Sequence, residues 1–114
     1  MRRDNKLFLK DIYKSCEYIL EFIKGMDFNE FKRDEKTLSA VIRKFEIIGE
    51  SVRYLPDRIK KSYLNVPWKE MAGMRDHLIH GYFGIDYKIV WDTIKEKIPD
   101  LISIISQILN ELEE

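Results

Sequence analysis

The sequence predicts an all-α fold: an antiparallel up-and-down bundle of four main helices with short helical turns between them. Three observations predict it. Apolar residues recur at steps of three and four almost throughout, alternating strand patterns are absent, and proline, glycine and aspartate punctuate the boundaries between periodic segments.

The first helix is predicted over residues 4–25, with Asp4 as N-cap, Gly25 as C-cap and an inward stripe of Phe8, Ile12, Cys16, Ile19 and Ile23. Cys16 lies on that stripe and reads as a small core residue, not a nucleophile. "MDFNEFKRD" predicts a short turn capped by Asp27, with Phe28 and Phe31 tucked inward. A long helix over residues 34–55 turns Leu38, Val41, Ile42, Phe45, Ile48 and Val52 to the core, and Pro56 stops it. "PDRIKKSYLNVP" is a connector with one helical turn. Pro67 suits the first position of the next helix, "PWKEMAGMRDHLIH", which ends near Gly81. The last helix has Asp86 as cap and a seam of Trp91, Ile94, Ile98, Leu101, Ile105, Ile108 and Leu112. Pro99 falls inside that seam and predicts a kink, not a domain boundary. Trp68 and Trp91 read as core anchors.

At 114 residues, with 45% apolar and 35% charged residues, the chain is expected to be one domain, residues 1–114, with a core of its own. Twenty Lys+Arg balance twenty Asp+Glu, so any nucleic-acid binding must come from a local patch. One cysteine excludes an internal disulfide and favours a reducing compartment. Neither a signal-peptide core nor an apolar run of roughly 18 residues is present, so a cytoplasmic protein without a membrane span is expected.

"MRDHLIHGYF" is the stretch with chemistry in it. If the helix continues through His80, Asp76 and His80 lie one turn apart, and the carboxylate can fix the imidazole tautomer. Arg75 lies about 140° round the helix from His80, within reach of its long side chain. Imidazole can take a proton from an RNA 2′-hydroxyl or give one to a leaving 5′-oxygen, while guanidinium stabilises the charge that builds on the phosphorane. RNA carries its own nucleophile, so the chemistry requires no metal. From the residues alone, a catalytic pair and a salt-bridged helix end both remain open.

Arg75, four intervening residues, His80, Gly81 and Tyr82 match the R-x4-H-x-Y motif of the HepT-like toxins, a branch of the HEPN superfamily. "TLSAVIRKFEIIGESVRYLP", "VPWKEMAGMRDHLIHGYFGID", "VWDTIKEKIPDL" and "EFIKGMDFNEF" also resemble corresponding segments of that family, so the likeness covers almost the whole chain. The resemblance implies a HEPN-like helical homodimer with the motif near its interface. It implies a metal-independent endoribonuclease, the toxin of a type VII-like toxin–antitoxin pair, without a cofactor. It implies Arg75 and His80 as catalytic residues assisted by Asp76. It further implies neutralisation by a minimal nucleotidyltransferase antitoxin that transfers AMP onto Tyr82.

Alternatives remain beside these roles. Tyr82 can instead pack at the helix end beside Phe83, and Asp76 can pair with Arg75. His77 reads as polar surface, and two histidines with one core cysteine argue against a metal site. Arg53, Arg58, Lys60, Lys61 and Lys69 face a single acid, Asp57, over residues 53–69; they form either a substrate-binding patch for the RNA backbone or a solvated connector. The competing function is a non-catalytic helical module that holds a nucleotide or docks the nucleotidyltransferase.

Overall fold

Helices account for nearly all regular structure in the computed structural model, which describes residues 5–79 and 84–113. In chain order these are α1 (Asn5–Phe22), α2 (Phe28–Phe31), α3 (Glu35–Tyr54), α4 (Asp57–Ser62), α5 (Trp68–Ala72), α6 (Met74–Leu78) and α7 (Tyr87–Glu113). No strand occurs among the described residues; Ile79 and Ile85 form one isolated antiparallel bridge. The fold is all-α, as the apolar periodicity predicts.

The three long helices build the core, with α1 packed on both α3 and α7. Leu9, Ile12, Cys16, Ile19 and Ile23 are the buried stripe of α1; Leu9 takes the core place predicted for Phe8, which is half-buried beside it. Burial, with a smaller push from Glu17, raises the Cys16 thiol to about 12. Cys16 is therefore expected to resist a thiol reagent such as DTNB in the native protein and to react fully in denaturant. Rapid native labelling would contradict its place in the core.

Caps set the helix starts. Asp27 Oδ1 accepts from the Glu30 N–H at 2.8 Å while Glu30 Oε1 accepts from the Asp27 N–H at 3.2 Å, closing a capping box at α2. Phe31 then docks α2 on α7, its ring 5.2 Å from that of Trp91. Asp34 accepts from both the hydroxyl and the N–H of Thr37, and these bonds hold its carboxyl below the usual carboxylate range. Asp86 accepts from the N–H groups of Lys88 and Ile89 at the start of α7, which runs through Pro99 without ending.

The third predicted main helix, from Pro67, is the element that differs. It is two short helices divided at Gly73, whose N–H closes α5 on Lys69 O and whose carbonyl accepts from His77 N–H to open α6. Pro67 is the N-cap of α5, and Trp68 inserts beneath it. The Trp68 indole N–H donates to the carbonyls of Lys60 and Tyr63, which satisfies acceptors at the end of α4.

Candidate active site

Arg75 is positioned by the break between α5 and α6. In a continuous helix the Ala72 carbonyl would accept from the Asp76 N–H. Here it accepts from the Arg53 guanidinium of α3 at 2.8 Å. Gly49, one turn earlier on α3, makes the approach possible, because a Cβ at that position would lie 2.9 Å from the same oxygen. Arg53 and Gly49 thus hold α3 against the junction from which α6 sets out.

Along that seam lies a cleft of about 210 Å³ lined by Glu46, Gly49, Glu50, Arg53, Ala72, Arg75 and Asp76. The Arg75 side chain remains 46% exposed, with Nε 3.8 Å from Glu46 and one terminal nitrogen 3.4 Å from Asp76. Both contacts are long and solvated, so each is worth about 0–1 kcal/mol and yields to a better anion. The arrangement offers an oriented cation at an open surface. A second guanidinium, that of Arg53, and three carboxylates, those of Glu46, Glu50 and Asp76, share the cleft with it.

The structure brings three sequence-predicted residues, Arg53, Arg75 and Asp76, to one cleft. Arg58, Lys60 and Lys61 sit on α4 and do not line it. His80, Gly81, Tyr82 and Phe83 lie outside the described residues. The residues that flank them are informative. α6 ends at Leu78, and Ile79 is extended (φ −107°, ψ 116°) and bridged to Ile85. The helix predicted to run through His80 thus ends at Leu78, and Asp76 lies 3.4 Å from a terminal nitrogen of Arg75. Ile79 and Ile85 both pack against the core, so burial of two β-branched side chains outcompetes another helical turn. His77 lies on the other flank of α6, on a groove of about 640 Å³ floored by Met71, Met74, Leu101 and Ile104.

Glu46, Gly49 and Glu50 belong to the cleft without being marked by any motif. The available signal is "EIIGE": two carboxylates one turn apart on the predicted helix, with a glycine where the core stripe would take a larger side chain.

The description ribonuclease HepT-like matches residues 12–108 of this sequence. The chain belongs to the HepT-like ribonuclease family. The matched span holds the Arg75 cleft and the whole R-x4-H-x-Y motif of this HepT-like chain. A candidate RNase of Methanocaldococcus jannaschii is 46% identical over 112 residues, 98% of this chain and 93% of that protein. A candidate RNase of Caldanaerobacter subterraneus subsp. tengcongensis is 44% identical over 91% of this chain and 93% of its own. A protein of Thermococcus cleftensis named "Probable ribonuclease HepT" is 48% identical over 89% of this chain and 92% of its own. No solved structure matches the chain.

Proposed function

We propose that this HepT-like protein is a metal-independent endoribonuclease, the toxin of a type VII-like toxin–antitoxin pair. The observation that carries the reading is the half-exposed Arg75 side chain on an open cleft, five residues before the motif histidine. A scissile phosphate displaces Glu46 and Asp76 from Arg75, and the guanidinium follows the negative charge onto the phosphorane oxygens. The 2′-oxygen attacks phosphorus as His80 takes the hydroxyl proton, and the bond to the 5′-oxygen breaks with a proton delivered to it. Asp76 assists before the phosphate arrives, by holding the Arg75 fork at 3.4 Å on the open cleft. Arg53, on the same cleft, and Arg58, Lys60 and Lys61, on the neighbouring α4, guide the RNA backbone.

The apolar floor of the groove beside α6 supports a homodimer, which would set two motifs close together. A minimal nucleotidyltransferase antitoxin would move AMP from ATP to the Tyr82 hydroxyl, releasing pyrophosphate. A charged nucleotide two residues from His80 would exclude RNA by bulk and repulsion.

Incubation of purified protein with tRNA and total RNA, with and without a chelator, tests the reading. Fragments ending in 2′,3′-cyclic phosphate and 5′-hydroxyl are expected in both conditions. Products bearing 5′-phosphate, or activity lost to the chelator, would contradict it.

A further inference from the structure

Tyr54 ends α3 with 69% of its surface exposed, yet its ring has a packing partner. It stacks on Phe8 of α1, with centroids 5.7 Å apart and ring planes within 18° of each other. A solitary exposed apolar residue needs no explanation. A ring held in one plane while open to solvent is different, because the entropy of orienting it for a second flat partner is already spent.

Its position gives that partner an identity. Glu46, Glu50 and Tyr54 step by four along α3, and the first two line the Arg75 cleft. From Glu46 to Tyr54 the helix advances roughly 12 Å at 1.5 Å per residue. Arg53 precedes Tyr54, about 100° round α3 from it, and donates one terminal N–H to Ala72 O, which leaves further N–H donors on the same guanidinium. The two guanidinium groups line the cleft between α3 and α6, and Tyr54 lies one turn beyond Glu50, a residue of that cleft. Three carboxylates, those of Glu46, Glu50 and Asp76, share the cleft, so a phosphate is held only where a guanidinium faces it.

We propose that Tyr54 is a stacking platform for a nucleobase of single-stranded RNA whose backbone runs from Arg75 past Arg53. The inference rests on the ribonuclease reading and extends it from the scissile phosphate to a neighbouring base. Every base presents a π-face, so the platform selects single strands over duplex without selecting a sequence.

Anisotropy of a fluorescein-labelled oligoribonucleotide tests this in the full-length His80→Ala background, where substrate survives the measurement. The probes are a single strand, its duplex and an abasic strand of equal length. Tyr54→Ala is expected to weaken single-strand binding by about 5- to 150-fold, the range that loss of one stacked base produces. Tyr54→Trp should restore it, Tyr54→Leu should not, and abasic-strand binding should be indifferent to all three. Single-strand affinity within twofold of the parent in Tyr54→Ala would overturn the platform, as would an equal loss on the abasic strand. A changed oligomeric mass with RNA affinity intact would also overturn it and assign the ring to a second copy of the chain. Cleavage by the unaltered protein is scored separately. Tyr54-dependent binding without cleavage defeats the ribonuclease reading and leaves the platform standing; cleavage with Tyr54-independent binding does the reverse.

Discussion

Alanine at position 80 is expected to abolish RNA cleavage, and alanine at position 75 to lower it by about two to three orders of magnitude, the usual cost of one oxyanion-stabilising group. The two losses differ in kind. Without the imidazole no group with a near-neutral pKa is supplied by the motif to carry the proton. Without the guanidinium the proton transfer survives, but charge builds on the phosphorane with only water to stabilise it. Arg75→Lys is the informative intermediate, since it keeps the charge and forfeits the planar fork that fits two phosphate oxygens. Single-turnover rates on one labelled RNA, with melting curves to establish that each variant is folded, make the comparison. Retention of near-parental rates by either alanine variant would remove that residue from the mechanism.

Gly49→Ala carries the second large effect, and its sign is diagnostic. In a helix interior, alanine is favoured over glycine by about 1 kcal/mol, so propensity alone predicts a more stable protein. The added Cβ would instead stand 2.9 Å from the Ala72 carbonyl oxygen, a backbone atom that cannot swing aside like the end of a side chain. Relief requires α3 to part from the α5–α6 junction, and such overpacking costs about 1–3 kcal/mol. A lower denaturation midpoint is expected, together with slower cleavage, because Arg75 leaves that junction on α6. Arg53→Met provides the comparison: it removes the hydrogen bond to the same oxygen without adding bulk there, so its loss should be the smaller. A stabilised Gly49→Ala protein would show that the two elements separate at no cost.

Much of the framework is legible in the sequence because it depends on local rules. Asp27, Asp34 and Asp86 cap the helices they precede, since a short carboxylate next to free N–H groups needs no distant partner. The α7 seam is buried from Trp91 to Ile108 as its spacing predicts. Pro56 stops α3 one residue after its C-cap. The third main helix is less legible. "PWKEMAGMRDHLIH" has helical periodicity throughout, and Gly73 alone lowers the helical preference only slightly. The chain divides there because α3 supplies, at Arg53, a donor that takes over the Ala72 carbonyl, and because Gly49 leaves room for that carbonyl to approach.

The candidate site divides along the same line. The sequence by itself determined the all-α class, the caps, the core stripes and the family, together with the motif that names Arg75, His80 and Tyr82. Those properties follow from periodicity and from residues close together in the chain. Only the tertiary structure decided that Glu46, Glu50 and Arg53 share a cleft with Arg75, and that Tyr54 stands open at the end of the same helix. Contacts between α3 and α6 join residues some thirty positions apart. No local pattern encodes them; they arise when α3 and α5 close to backbone contact over a glycine, so packing fixes what surrounds the guanidinium.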